Sequence, residues 1–237
     1  MSSTPLPEMQ FLNLKTLSRK QRAAIGATTV ILISIVVAML LHREKNDGLP
    51  AAETPADTGA LRVALLPTLE TLPFYVAALD GTYDSLGLAL RIADTDAQFD
   101  ADTALYGHSA HLASTDLVRL QYQARRGQQA VVLMGLQGAW GVASAPARRA
   151  GGVKDLQDGL LGIARFSSSD LLSADALAKA ELDYDGMLRA QANALPVRAN
   201  MVVQGQTEAA VLPEPWLSWA VSKKCKPLWR ADAADAA

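Results

Sequence analysis

Apolar and polar positions follow three different regimes along this chain. Between Ala23 and Leu41 (AAIGATTVILISIVVAMLL) nineteen residues pass without a charge. From His42 to Ala60 (HREKNDGLPAAETPADTGA) polar residues, Pro and Gly take over and no period survives. From Leu61 onward the apolar residues come in short runs, each stopped by Pro, Gly or a polar turn. Leu61–Leu66 predicts a strand closed by Pro67, and Thr71 with Pro73 predicts a capped helix over Leu72–Leu79. Leu88–Ile92 predicts a strand, Asp100–Leu105 a short helix, and Ala110–Ala113 a buried strand. Ser114-Thr115-Asp116 then precede a helix starting at Leu117. Ala130–Met134 and Trp140–Ser144 read as two strands paired through a Gly-containing turn. The second half repeats the theme, with strands at Leu160–Ala164, Met187–Ala190, Ala209–Leu212 and Lys226–Arg230. Helices are predicted between them at Leu171–Leu182, Pro196–Gln204 and Trp216–Val221.

Strands alternating with helices at short intervals predict an α/β fold with mostly parallel sheets. A halfway break divides the folded part, 61–232, into two small lobes, about 61–145 and 146–232. No solenoid period is present.

The first two regimes set the location. Nineteen helical residues at about 1.5 Å each reach roughly 28 Å, close to the hydrocarbon thickness of a bilayer. Residues 1–45 carry six Lys/Arg and two acids, hence +4, and residues 46–237 carry sixteen and twenty-two, hence −6. Lys15, Arg19, Lys20 and Arg22 stand just before the apolar run, which places 1–22 in the cytoplasm. Residues 23–41 read as a transmembrane signal anchor, single-pass in a bacterial inner membrane, with the main domain periplasmic. A cleaved signal peptide would have a shorter apolar core and small residues at its end, whereas this run closes on Met39-Leu40-Leu41-His42. No cysteine follows it, so a lipid anchor is excluded. Residues 42–60 read as a flexible linker.

Half of all residues are hydrophobic and the net charge is −2, which excludes a disordered tail protein and a uniformly basic nucleic-acid binder. The single cysteine, Cys225, excludes an internal disulfide and a Cys-based zinc cluster.

Ligands of open α/β sheets sit beyond the carboxyl ends of strands. Three polar turns meet that condition: Pro67-Thr68-Leu69-Glu70-Thr71, Ser114-Thr115-Asp116 and Ser167-Ser168-Ser169-Asp170. Each opens a helix, where unpaired N–H groups and a partial positive charge suit an anion. The plainer reading of each turn is helix capping. Asp116 and Asp170 count against a fully anionic ligand and suit backbone caps or a ligand amine. A fourth turn, Leu212-Pro213-Glu214-Pro215-Trp216, offers a fixed carboxylate and a flat apolar surface, or simply a stiff turn with Trp216 in the core. Trp140 and Trp219 read as core. His108 and His111 fall on opposite faces of a strand and cannot share a metal. Ser167–Ser169 lack the nucleophile elbow of hydrolases. Cys225, among Lys223, Lys224 and Lys226, reads as a solvent-facing residue. The dinucleotide fingerprint is absent. No catalytic residue, cofactor or metal is indicated.

These segments resemble the periplasmic substrate-binding proteins of ABC transporters, in the branch that handles nitrate, alkanesulfonates and thiamine-pyrimidine precursors. Leu61–Pro67 resembles the family's first strand and ligand loop, and Phe74-Tyr75-Val76-Ala77-Ala78 its first helix. Gly81–Leu88 resembles the family's Gly-x-Phe/Tyr-x-x-x-Gly-Leu/Ile segment. Val153-Lys154-Asp155-Leu156 resembles the turn into the second lobe. Gly205–Trp216 resembles Gly-x-x-Asp-Ala-x-x-x-x-Glu-Pro-Trp/Phe, the most specific match. The resemblance covers about 61–230 and implies a two-lobed type II binding-protein fold with the ligand in the cleft. Carried over by position, it implies contacts from Thr68, Leu69, Thr71, Ser114, Thr115, Ser167, Ser168 and Ser169, with Glu214 on the hinge side and Trp216 beside it. It implies a small-molecule ligand, and an ABC permease and ATPase as partners.

The chain departs from the family after Trp216. Members continue with helices that return to the first lobe, and only twenty-one residues follow here. Two functions therefore stand: a membrane-anchored solute-binding protein serving a transporter, and a non-transporting sensor or envelope-complex module. An enzyme has only isolated Ser, His and Asp residues behind it.

Overall fold

The computed structural model describes residues 59–231. The expected cytoplasmic segment 1–22, the anchor 23–41 and nearly all of the linker 42–60 lie outside the described residues. Among the described residues no helix is long and apolar enough to cross a membrane.

Two sheets organise these residues. The first has the order β2-β1-β3 and is parallel throughout, built from β1 (Leu61–Leu65), β2 (Leu90–Asp94) and β3 (Leu112–Ala113). Helices α1 (Leu72–Leu79), α2 (Thr82–Ser85) and α3 (Gln98–Tyr106) make its crossovers, and α4 (Leu117–Arg125) follows β3. Ala64 of β1 packs with Ala101 of α3 and with Ala110, so small side chains let that helix lie close to the sheet.

The second sheet has five strands in the order β6-β5-β7-β4-β8. They are β4 (Trp140–Ser144), β5 (Leu160–Ile163), β6 (Leu188–Gln191), β7 (Ala209–Pro213) and β8 (Lys226–Arg230). Strands β6, β5 and β7 run parallel, and β4 runs antiparallel to both β7 and β8. Helices α5 (Ser168–Lys179), α6 (Leu195–Val203) and α7 (Trp216–Ser222) cover its faces. Every residue of β7 is buried, as a central strand covered on both sides must be. Its alternate side chains serve two cores. Ala209 and Val211 join Leu161, Ile163 and Leu172 on one face, while Ala210 and Leu212 join Ala199, Val202 and Leu217 on the other.

Three expectations are corrected. Ala130–Met134 forms no strand with Trp140–Ser144, because both edges of β4 are taken by β7 and β8, far along the chain. The chain therefore joins the second sheet by Trp140, ahead of the lobe boundary expected at 145. Cys225 is buried in the second core rather than facing solvent, and that burial pushes its thiol up to about 11.

Candidate solute-binding site

The loop after β1 is built by its own hydroxyl. Thr71 Oγ1 turns back to the Leu66 and Thr68 carbonyls, at 2.7 and 2.9 Å, instead of capping α1. Thr71 thus holds the loop's shape from a fully buried position. Ser114, at the end of β3, accepts a hydrogen bond from the Leu66 amide at 2.8 Å and joins the two loops. Thr68 is buried between them, whereas Leu69 is half exposed on the outer, apolar side with Leu72, Pro73 and Val76. Glu70 leaves the same loop toward Gly138, on the connection between the sheets, and burial raises its carboxyl pKa.

The loop after β7 meets this one. The Leu69 amide donates to the Glu214 carbonyl at 2.8 Å, and Trp216 Nε1 donates to the Pro67 carbonyl at 2.7 Å. The Glu214 carboxylate is engaged within its own half. It accepts from the Ser218 amide at 2.9 Å and from Arg230 at 3.1 Å. Burial works against its ionisation, but these hydrogen bonds outweigh it and hold the carboxyl below its usual range. Glu214–Pro215 is a cis peptide. Trp216 packs edge-to-face against Trp219 at 6.0 Å.

The loop after β5 is a serine knot. Ser167 caps α5 by accepting from the Ser169 amide at 3.2 Å and donates to the Ala164 carbonyl at 2.7 Å. Ser169 accepts from the Ala164 amide at 2.9 Å. Both are buried and their hydroxyls are used inside the turn. Ser168, between them, is half-buried, and its hydroxyl makes no hydrogen bond among the described residues. Thr115 is exposed and its hydroxyl makes no hydrogen bond among the described residues, and Asp116 caps α4 by accepting from the Arg119 amide at 2.8 Å. Gln98 donates to the other Asp116 oxygen.

Two more contacts join the halves. Phe166 stacks on Tyr122 of α4 with centroids 4.7 Å apart, and the Leu195 amide donates to the Asp96 carbonyl at 2.8 Å. The loops after β1, β2 and β3 therefore meet those after β5, β6 and β7 along one seam. Of the ten predicted residues, Thr115 and Ser168 make no side-chain hydrogen bond among the described residues, and Thr68 is buried beside the Glu70 carboxylate. Thr71, Ser114, Ser167, Ser169, Glu214 and Trp216 shape the walls, and Leu69 contributes its amide to the junction.

Sequence reasoning missed Arg198. It is 2 % exposed, its stem lies over Gly162 of β5, and its Nη1 donates to the Ala192 carbonyl at 3.1 Å. Its Nε has no partner among the described residues. Burial pulls its pKa down to about 10, opposed by the Asp116 charge from the facing half. The signal was present: Leu195, Arg198, Ala199 and Val202 share one helical face, so the period alone puts this arginine inside.

Compared with known proteins, the chain matches no family model and no curated protein. Solved structures do match. A protein from Bordetella bronchiseptica RB50 aligns over 76% of this chain and 59% of its own, with 23% identity and a TM-score of 0.59. The alkanesulfonate-binding protein SsuA from Xanthomonas axonopodis pv. citri, bound to MOPS, aligns over 75% of this chain and 63% of its own, with 18% identity and a TM-score of 0.58. This is the type II periplasmic-binding-protein fold. PhnD1 from Prochlorococcus marinus, in complex with methylphosphonate, shares the binding-protein fold with 12% identity and a TM-score of 0.56. The chain spans about 60% of the length of the first two structures, 59% and 63%.

Proposed function

We propose that this chain is a membrane-anchored, extracytoplasmic solute-binding protein that delivers a small polar or anionic solute to an ABC transporter. The carrying observation is the meeting of six strand-end loops along one seam, where a solute crevice would form, tied across by the Leu69–Glu214, Trp216–Pro67 and Leu195–Asp96 hydrogen bonds. Such a crevice binds by closing two halves around a solute. The matched structures that hold sulfonate- or phosphonate-type ligands support the same chemistry.

In this reading Thr68, Thr115 and Ser168 contact the solute, while the other predicted residues position the loops. The protein binds and releases without turnover. Residues 23–41 anchor it in the inner membrane with 1–22 in the cytoplasm, and the permease and ATPase subunits are its partners. A thermal-shift screen of the full chain against alkanesulfonates, nitrate, phosphonates and pyrimidines tests the binding. Stabilisation by at least one is expected, and a flat response to all of them rejects it. Protease accessibility in spheroplasts tests the topology.

A second reading, a binding-protein-like sensor or envelope-complex module, is favoured by one observation. The first half exposes Val131, Leu133 and Met134 together with Leu72, Val76 and Leu79 of α1, apolar surface beyond what a lone domain needs. Co-purification with a permease under crosslinking separates the two, since only the transport reading requires it.

A further inference from the structure

The run Lys223-Lys224-Cys225-Lys226 takes no part in the seam between the halves, and strand register shows where it lies. Ser144, the last residue of β4, sits opposite Ala209, the first of β7, and opposite Lys226, the first of β8. The seam is at the other end of these strands, where Glu214 and Ala231 donate their amides to the Ala139 and Trp140 carbonyls. Five-residue strands at about 3.3 Å per residue put roughly 16 Å between the two ends.

Cations collect at the far end. Lys226 Nζ donates to the Ala150 carbonyl at 2.8 Å, which brings the start of β8 against Arg148 and Arg149 in the loop after β4. Lys223 Nζ lies 5.9 Å over the Trp219 ring. The two carboxylates among them are engaged. Glu208 pairs with Arg148 at 2.8 Å, and Asp155 accepts from the Gly151 and Gly152 amides. Arg148, Arg149, Lys223, Lys224 and Lys226 against these two acids leave +3, whereas the described residues as a whole carry sixteen Lys/Arg and seventeen acids, hence −1. Arg149, Lys223 and Lys224 are exposed, and among the described residues no carboxylate lies within ion-pair distance of them. Further acids at this end, Asp158, Glu181, Asp183 and Asp185, precede β5 and β6, on the opposite side of the sheet order β6-β5-β7-β4-β8. Two to three strand spacings of about 4.8 Å separate β5 from β4 and β8, beyond the screening length of about 8 Å at physiological salt. The basic corner is therefore not neutralised from within.

We infer that this corner of the five-stranded half docks on an anionic bilayer surface, with Arg149, Lys223 and Lys224 meeting lipid phosphates. Charge complementarity selects the occupant, each such cation near an anionic membrane being worth about fivefold in affinity. Chain length supports it. Nineteen residues, 42–60, separate the apolar run from β1, and a flexible tether of that length reaches roughly 24 Å, so a weak surface contact is enough to hold the domain down. Docked in this way, the domain keeps its seam, at the other end of the strands, open to the medium. This rests on the membrane-anchored reading above and adds the face that meets the lipid.

The full chain in nanodiscs at low ionic strength tests it, with a short-range nitroxide quencher on the lipid head group. One fluorophore is placed at Ser222→Cys, beside Lys223, and a control at Ser85→Cys in the first half, while Cys225 is buried and does not compete for the label. In discs rich in phosphatidylglycerol, quenching at position 222 is expected to exceed that at position 85 by at least about fivefold. It is expected to vanish in phosphatidylcholine discs and in 1 M salt, where the screening length falls to about 3 Å. Lys223→Gln with Lys224→Gln is expected to lower the docked-to-free ratio about 25-fold, and Lys223→Arg with Lys224→Arg to keep it. Equal quenching at the two positions overturns the inference, as does quenching indifferent to lipid charge or to the glutamine pair. If the chain fractionates with the discs and position 222 is unquenched, docking falls and anchoring stands. If the chain does not fractionate with them, both fall. If polyglutamate binds the parent but not the glutamine pair while phosphatidylglycerol leaves the label unquenched, the corner belongs to an acidic protein and the lipid assignment is overturned.

Discussion

The two halves of the crevice are built to different standards. The five-stranded half buries two continuous cores, with Leu156, Leu161, Ile163, Leu177, Val211, Leu212 and Leu217 at or near full burial. The three-stranded half buries less, chiefly Val63, Leu65 and Leu66 with Ala64, Ala101 and Ala110, and its helix α1, apolar at nearly every position, has no buried residue. Leu79 is 88 % exposed and Val131 83 %. Both halves are rich in apolar residues, so the difference lies in what each has to pack against. The sheet with two helical covers turns hydrophobic residues into stability, and the sheet with thinner cover leaves them in water.

Mutations can break or sharpen this contrast. The largest loss is expected for Leu212→Ala, which empties a fully buried site in the five-stranded half. Urea unfolding should show about 2–5 kcal/mol. Next comes Gly141→Ala in β4, where an added Cβ would stand 2.6 Å from the Trp229 carbonyl and 2.8 Å from Leu217. Backbone cannot yield cheaply, and about 1–3 kcal/mol is expected by the same measurement.

Glu214→Gln probes the seam between the halves. Its folded pKa lies below the ordinary value of 4.5, so the charged form stabilises the fold above that value. That contribution disappears as pH falls through the lower, folded pKa. The parent should lose stability on acidification below about pH 4.5 more steeply than Glu214→Gln does, with a difference near neutrality of about 1 kcal/mol. Equal slopes would detach Glu214 from the acid response. Phe166→Ala removes the ring stacked on Tyr122 and should cost about 0.5–1.5 kcal/mol. The smallest effect is expected for Leu79→Ala, within about 0.5 kcal/mol. A large loss there would mean that α1 is covered in solution, and the contrast between the halves would fail.

Local chemistry was readable in the sequence where it was self-contained. Asp116 before Leu117 and Ser167 before Ser168 are helix caps in the structure. Lys226–Arg230 forms a strand, and the alternating helices and strands follow the predicted order. What failed was partner choice. Turn chemistry suggested that Trp140–Ser144 pairs with its upstream neighbour, and β7 and β8 took it instead. That the three polar turns follow β1, β3 and β5 was legible in the sequence. Which hydroxyls stay free was not, because Thr71, Ser167 and Ser169 spend theirs on carbonyls of their own turns.

By itself, then, the sequence determined the succession of elements, their caps and stops, and the loops that follow the strands. These depend on residues within a turn or two of each other. Only the tertiary structure decided that β4 lies between β7 and β8, that Cys225 is buried, and that Arg198, though buried, has no carboxylate in contact among the described residues. Strand pairing and burial are set by which distant surfaces exclude water together, and no short stretch of sequence carries that information.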